Sequence, residues 1–229
     1  MERHFHEQLQ HLKNTLIEMA DQVENAIANA IEALVDQDKD IAQNVIDMDD
    51  KINMLEIRID NESLKLLATQ QPMAVDLRFI TSAMKINNDL ERMGDHAVNI
   101  AQRAAMLCSQ NHLKPLNNIP KMAEITQSMV KDSLSSFVTE DVKKARDVCE
   151  RDDQVDQLDA LLFRELLSEM MNDKENVPKA INYLLISKNL ERIADLSTNI
   201  SEEVIFIVKA KTIKHHLNAS DLEDIRSRS

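Results

Sequence analysis

The stretch Leu-Glu-Arg-Met-Gly-Asp-His-Ala-Val-Asn-Ile at residues 90–100 returns at residues 190–200 as Leu-Glu-Arg-Ile-Ala-Asp-Leu-Ser-Thr-Asn-Ile. Six of the eleven aligned positions are identical, and four of those six are polar. Apolar residues in both stretches recur every three or four positions, which is the spacing of one buried helical face. Working outward, Met19-Ala20 and Asp49-Asp50 also return, 103 positions later, as Met122-Ala123 and Asp152-Asp153. We therefore predict an internal duplication.

The apolar periodicity divides each half of the chain into three helices. Breaks are predicted at residues 36–38 and at residues 70–72, where Pro72 disfavours helix in the residue before it, and a connection is predicted over residues 109–120. Because long helices joined by short connections pack antiparallel, we predict an all-α fold of two tandem antiparallel three-helix bundles, with six long helices. The first repeat covers residues 1–111, and the second covers residues 112–229 with a short C-terminal tail.

Composition excludes several classes of function. The chain has a single glycine and no tryptophan, and 3% of its residues are aromatic. Gly-rich phosphate loops of the Walker or dinucleotide type need several glycines in one turn, so neither is possible here. The net charge of −13 repels phosphate backbones, which argues against nucleic-acid binding. Such a surface suits cations or basic partner surfaces instead.

Cysteine use and hydropathy predict a cytoplasmic protein without membrane insertion. Cys108 and Cys149 are isolated in the sequence, so a disulfide framework is not expected and a reducing compartment is. The N-terminal residues lack the apolar core of a signal peptide. The longest strongly apolar run, residues 204–208, is far shorter than the roughly 20 residues that cross a bilayer.

Each copy of the repeated stretch carries a stripe of oxygen donors on one helical face. Residues spaced i, i+4 and i+8 stack along a helix, and the heptad pattern points these positions away from the apolar seam. The stripes are Glu91, Asp95 and Asn99 in the first half and Glu191, Asp195 and Asn199 in the second. Neighbouring carboxylates repel each other, so the pattern suggests a compensating hard cation such as Mg²⁺, Ca²⁺, Mn²⁺ or iron. Arg92 and Arg192 are alternative compensators, and a solvated acidic surface is the simpler alternative.

The same residues resemble a known family. Leu90–Asp95 and Leu190–Asp195 are similar to the paired E(D)xxxD motifs of the PhoU family of phosphate-signalling regulators. Residues 71–78, Gln-Pro-Met-Ala-Val-Asp-Leu-Arg, resemble the stretch that precedes the first motif in that family, and residues 50–56 resemble its second helix. The likeness extends over about residues 8 to 210.

The resemblance implies multinuclear metal clusters, of iron or zinc and sometimes of other ions, on surfaces lined by the motif carboxylates. The implied ligands are Glu91, Asp95, Glu191 and Asp195, followed by Asn99 and Asn199 one turn further on. Glu56 and Asp60 form another ExxxD on the second helix, and the second half has Asp159 in place of Glu56 but Phe163 opposite Asp60. Two departures from the family are Ala194, where glycine is frequent, and the presence of the Asp-Leu-Arg triplet in the first half only.

The resemblance also implies a role. It implies a cytoplasmic negative regulator of the phosphate-starvation response, which acts between the phosphate ABC transporter, through its ATPase subunit, and a sensor histidine kinase. We expect a homodimer and no catalytic activity. The alternatives are a helical scaffold that binds a partner coiled coil without metal, and a di-metal oxidase. Oxidases of that class need Glu-x-x-His pairs, which the sequence lacks.

Overall fold

A computed structural model describes residues 2–108 and 118–210, and these ranges contain six α-helices and one short 3₁₀ helix. No β-strand occurs in either range. The α-helices are α1 (Glu2–Asp36), α2 (Lys39–Gln70), α3 (Ala74–Leu107), α4 (Asn118–Thr139), α5 (Val142–Asn172) and α6 (Val177–Lys209). The 3₁₀ helix, Lys174–Asn176, leads into α6.

The predicted fold class is confirmed, because α1, α2 and α3 pack against one another and α4, α5 and α6 form a second such bundle. The predicted breaks at residues 36–38 and 70–72 agree with the helix ends. The predicted connection is too long, since α4 begins at Asn118 and contains Pro120 in its first turn. Proline is tolerated there because the first backbone N–H groups of a helix have no intrahelical partner. The predicted repeat boundary at residues 111 and 112 and the predicted tail lie outside the described residues.

In each half, one aspartate marks the start of the second helix. Asp38 accepts hydrogen bonds from the backbone N–H groups of Asp40 and Ile41, at 2.8 and 3.1 Å. Asp141, which lies 103 residues later, caps α5 in the same way, at 2.9 and 3.1 Å. Such caps satisfy backbone donors that the helix itself cannot pair. The duplication therefore includes the local signal that starts α2 and α5.

The buried core follows the apolar seams read from the sequence. On α3, Leu90, Met93, Ala97 and Ile100 are completely buried. Met19, Met122 and Met129 are also completely buried in α1 and α4, where they help to fill the core. The seams fix which faces of α3 and α6 remain for other contacts.

The two bundles join through α3 and α6, with a smaller contact between α1 and α4. Near the start of α3, Ser82 and Lys85 both donate to Glu203 near the end of α6, each at 2.7 Å. Further along α3, His96 lies 2.9 Å from the side-chain oxygen of Asn189 near the start of α6. The order of partners reverses along the two helices, so α3 and α6 run antiparallel. The two repeated stretches therefore face each other at the centre of the molecule.

Candidate metal-binding surface

The stripe residues lie at the edges of the bundles and not in their cores. Glu91, Glu191 and Asp195 are partly buried, whereas Asp95 is exposed. Asn99 and Asn199 are exposed as well. The stripe side chains therefore point away from the apolar seam, as the heptad pattern predicts, and three of them are partly covered.

The first stripe meets two carboxylates of α2. Burial raises the pKa of Glu91, and the charges of Asp95, Glu56 and Asp49 raise it further. Burial also raises the pKa of Glu56, with contributions from Asp60 and Asp95. These mutual effects define a first acidic group of Asp49, Glu56, Glu91 and Asp95 at the α2–α3 boundary. Its like charges repel one another, so the group favours protons or cations at this place.

Asp49 has an unsatisfied oxygen in this group. Its Oδ2 accepts a hydrogen bond of 3.1 Å from Asn53. Its Oδ1 is shielded from solvent and has no hydrogen-bond partner. Burial raises the pKa of Asp49, and the hydrogen bond from Asn53 opposes that rise. A buried carboxylate oxygen without a donor is costly unless an ion or a proton satisfies it.

Gly94 explains how α2 comes so near to α3. A Cβ atom at position 94 would lie 3.1 Å from Cδ1 of Ile52 and 3.9 Å from Oδ1 of Asp49. The missing side chain allows the close approach that brings Asp49 beside the stripe. The helix packing accounts for this glycine, although glycine costs roughly 1 kcal/mol relative to alanine inside a helix.

Asp60 lies next to the first acidic group but has a partner of its own. The buried side chain of Asn87 donates to Oδ1 of Asp60 at 3.0 Å and also lies 3.1 Å from the backbone oxygen of Glu56. The pair Glu56 and Asp60 is thus tied to α3 through Asn87. Of the two, Glu56 is the one whose charge reaches the stripe.

The second stripe forms a second acidic group with α5, namely Asp156, Asp159, Glu191 and Asp195. Burial raises the pKa of Glu191. The positive charge of Lys188 opposes this rise, and the negative charges of Asp195 and Asp159 add to it. Burial also raises the pKa of Asp195, with a further contribution from Asp156. One oxygen of Glu191, Oε2, is shielded from solvent and accepts no hydrogen bond.

A lysine already occupies part of the second acidic group. Lys188 donates to Oδ2 of Asp159 at 2.6 Å, and Ser187 donates to Oδ1 at 2.5 Å. The same Lys188 ammonium group lies 3.9 Å from Oε1 of Glu191. Asp159 is only 8% exposed, whereas the Lys188 side chain is half exposed, so the ion pair is buried on the aspartate side only. The second half thus supplies its own cation, which the first half does not do at the corresponding position, Asn88.

The two asparagines of the stripes are not gathered with the carboxylates. Asn199 hydrogen-bonds Asp89 across the α3–α6 interface and so serves the contact between bundles. Arg92 lies 3.6 Å from the same Asp89 carboxylate. Nε of Arg192 lies 4.0 Å from Oε2 of its neighbour Glu191, which is too far for a hydrogen bond. Neither arginine forms a close ion pair with a stripe carboxylate, so the arginines compensate the stripes only in part.

No preformed metal cage exists in the described part of the chain, because no three histidine, cysteine, aspartate or glutamate side chains there converge closely enough to hold an ion. The donor set still suits hard cations, since it consists of carboxylate oxygens. The unsatisfied oxygens of Asp49 and Glu191 lie one in each acidic group. The residues therefore fit metal ions held by carboxylates of two neighbouring helices and completed by water.

Sequence reasoning missed the contributions of α2 and α5 beyond Glu56 and Asp60. Asp49 and Glu56 are seven residues apart and thus on one face of α2. Asp152 and Asp159 repeat that spacing 103 positions later. The signal was therefore present in the repeat, although a single helix cannot tell which neighbour that face meets.

None of the described helices combines the length and the apolar character that a membrane span requires.

Comparison with known proteins gives one consistent family. The sequence matches the PhoU domain over residues 16–104 and again over residues 119–204. It is 40% identical to the phosphate-specific transport system accessory protein PhoU homolog of Clostridium acetobutylicum, over 91% of this chain and 96% of that protein. The homolog of the same description from Aquifex aeolicus is 41% identical, over 91% of this chain and 94% of that protein.

Solved structures agree with the sequence matches. The crystal structure of PhoU from Pseudomonas aeruginosa has a TM-score of 0.88 and 36% identity, and the match covers 90% of this chain and all of that one. The phosphate transport system regulatory protein PhoU from Streptococcus pneumoniae has a TM-score of 0.85 and 32% identity over 92% of this chain. Both copies of the repeat, the whole fold and the curated relatives lead to the same conclusion: the chain belongs to the PhoU family.

Proposed function

We propose that the chain is a cytoplasmic regulatory adaptor of phosphate uptake that binds metal ions on its two acidic groups and has no turnover of its own. It represses the phosphate-starvation response by acting between the ATPase subunit of a phosphate ABC transporter and a sensor histidine kinase. Membership of the PhoU family supports the link to phosphate transport, because the relatives are named as accessory proteins of that system. Because the relatives are named as accessory proteins of a transport system, an adaptor is favoured over an enzyme.

The observation that carries the metal-binding part is the pair of unsatisfied carboxylate oxygens within two acidic groups. In the first group, Asp49, Glu56, Glu91 and Asp95 would hold the ions. In the second, Asp156, Glu191 and Asp195 would do so beside the Lys188–Asp159 ion pair. Bound ions would neutralise carboxylates whose pKa values burial has already raised. Iron and zinc are the proposed metals, and Mg²⁺, Mn²⁺ and Ca²⁺ also suit oxygen donors.

Metal content tests this part directly. Protein purified without chelator is expected to carry metal by elemental analysis. Glu91→Gln with Asp95→Asn should remove most of the metal of the first group, and Glu191→Gln with Asp195→Asn that of the second. The matched control is Glu32→Gln with Asp36→Asn, an exposed pair on α1 with the same residue types and spacing. Metal content that stays equal in all three variants would remove the stripes from the proposal.

Affinity capture tests the adaptor role. Tagged protein from phosphate-replete cells is expected to recover the transporter ATPase subunit or the sensor kinase. Deletion of the gene should switch on phosphate-starvation genes in phosphate-rich medium. The alternative is a scaffold that works without metal. In that case the variant that combines all four stripe substitutions should recover its partners as well as the wild type does. Normal repression in the deletion strain would contradict negative regulation.

The proposal includes a homodimer. Apolar side chains lie exposed along the outer helices α2 and α5. Among the described elements, α2 contacts α1 and α3, whereas α5 contacts α4, α6 and the adjoining 3₁₀ helix. The exposed apolar residues are Met54, Ile57 and Leu64 on α2 and Phe163, Leu167 and Met171 on α5. Covering such residues favours association. Light scattering after gel filtration should give twice the monomer mass, and substitution of Ile57 and Phe163 by glutamate should reduce it to the monomer value.

A further inference from the structure

A groove of about 500 Å³ lies at one end of the molecule, away from both acidic groups. Its walls come from the first turns of α1, the start of α3 and the end of α6, and the turn between α4 and α5 closes one side. Lys13 and Glu140 form an ion pair of 3.5 Å across that side. The volume is within the range of pockets that enclose a whole organic ligand, and it exceeds what one small inorganic anion requires.

The groove contains an arginine, Arg78, that forms no ion pair with any residue that the structure describes. Arg78 is partly buried, and its Nε is shielded from solvent with no acceptor in reach. Asp76, two residues earlier, forms no ion pair with it or with any other described residue. A shielded guanidinium N–H without an acceptor is unfavourable. Because the guanidinium fork matches the two oxygens of a carboxylate, an incoming acidic side chain would satisfy it.

Apolar side chains adjoin these two polar groups. Val75, which is 59% exposed, and Val208 at the end of α6, which is 39% exposed, both line the groove. The backbone here is strained, since Gln71 and Ala74 adopt positive φ values of 47° and 43° although neither is glycine. The strained turn at Gln71 and Ala74 therefore exposes apolar side chains to solvent beside Arg78.

The second half differs from the first at the equivalent place. Before the repeated glutamate, α3 extends from Ala74 to Glu91 and α6 only from Val177 to Glu191, so α3 is longer by about one turn at its start. At the positions of Asp76 and Arg78 the second half has Asn176 and Pro178. A requirement of the three-helix fold would apply to both halves. The groove therefore serves something other than the packing of a repeat.

We propose that this groove is the docking site for an acidic and apolar segment of a partner protein. A carboxylate of the segment binds the Arg78 guanidinium, Asp76 accepts an N–H of the segment, and an apolar side chain packs between Val75 and Val208. The inference rests on the proposed adaptor function in one respect, namely that an adaptor needs a surface for its partner. It assigns that surface to the end of the molecule and leaves the acidic groups free for ions.

Site-specific cross-linking in phosphate-replete cells tests the assignment. A photoreactive phenylalanine at position 75 of the full chain is irradiated, and the cross-linked peptide is identified by mass spectrometry. We expect a peptide of another protein that carries acidic and apolar residues within a few positions. Its yield should fall at least fivefold with Arg78→Gln and less with Arg78→Lys, which keeps the charge but loses the fork. Arg164→Gln, an exposed arginine on α5, should leave the yield unchanged.

The other outcomes overturn the inference. These are cross-links to residues 211–229 of the same chain, cross-links to a second copy, no cross-link at all, or a yield that does not depend on Arg78 in variants with unchanged thermal unfolding. The proposed function fails separately. A docked acidic segment from a protein outside phosphate transport would uphold the groove and contradict the function. Unchanged capture of the transporter ATPase by the Arg78→Gln variant would contradict the groove and uphold the function.

Discussion

The two acidic groups occupy equivalent places in a duplicated fold, yet they balance their charges differently. In the second half, Lys188 lies 2.6 Å from Asp159 and 3.9 Å from Glu191. In the first half, Asn88 stands at the position of Lys188, and Oδ1 of Asp49 has no hydrogen-bond partner. The equivalent helices place the carboxylates similarly in both halves. The residue next to them, Asn88 or Lys188, determines how much of their negative charge is left for a bound ion to neutralise. We therefore expect the first group to bind cations more tightly than the second.

Replacing Asp89 by asparagine, the residue at the equivalent position 189, should have the largest effect on stability. Asp89 is 8% exposed, and burial raises its pKa to about 6, with Glu203 adding to the rise while Arg92 opposes it. Because the folded-state pKa lies above the unfolded value, the stabilisation is complete below the unfolded pKa and is lost as the pH rises through about 6. Asp89→Asn should therefore raise the free energy of unfolding at pH 7.5 by about 2 kcal/mol and change it little at pH 4.

Urea unfolding of both proteins at the two pH values measures this difference. The reverse change, Asn189→Asp, should lower stability at pH 7.5, because it adds a third carboxylate to the interface that already holds Asp89 and Glu203. An Asp89→Asn effect of equal size at both pH values would show that the charge of Asp89 is not the cause.

Exchanging Asn88 and Lys188 tests the difference in charge balance itself. Asn88→Lys should weaken Mn²⁺ binding by the first group about tenfold, or about 1.4 kcal/mol, because an ammonium group competes with the ion. Lys188→Asn should strengthen binding by the second group by a similar factor. Isothermal titration calorimetry at low ionic strength measures both, with the exposed Lys131→Asn on α4 as control. Identical affinities in all four proteins would mean that the lysine does not distinguish the groups.

The exchange of Gly94 and Ala194 should have the smallest effect. Alanine at position 94 gains roughly 1 kcal/mol of helix propensity. Its Cβ would also lie 3.1 Å from Cδ1 of Ile52, which must move by a few tenths of an ångström. The two effects should cancel to within about 0.5 kcal/mol, whereas Ala194→Gly should cost about 1 kcal/mol. Thermal unfolding measures both, and a loss above about 2 kcal/mol for Gly94→Ala would show that α2 cannot yield at this contact.

Periodicity and the repeat were sufficient to predict the fold. The offset of 103 that relates Asp49 to Asp152 also relates the capping residues Asp38 and Asp141, so the helix starts were encoded twice. The position of Pro120 was misread as part of a connection, because proline also suits the first turn of a helix. Sequence alone does not separate these two uses when no capping residue stands directly before the proline.

The site was predicted only in part, because it depends on neighbouring helices. Glu91 and Glu191 were identified from their own helices, and each does lie within an acidic group. The role of Asp49 required knowledge that α2 turns its Asp49–Glu56 face to α3. The ion pair of Lys188 required knowledge of where a long side chain on α6 reaches on α5. Such contacts are tertiary, and a pattern within one helix carries no information about them.

The antiparallel contact between α3 and α6 has the geometry of a twofold symmetric subunit interface, in which the same surface of each copy meets its counterpart. An ancestral polypeptide of half the length could have formed this contact with an identical copy of itself. Fusion of two genes would then tether the pair, after which each copy was free to change alone. The divergence of Asn88 from Lys188, and of Arg78 from Pro178, is what that freedom permits.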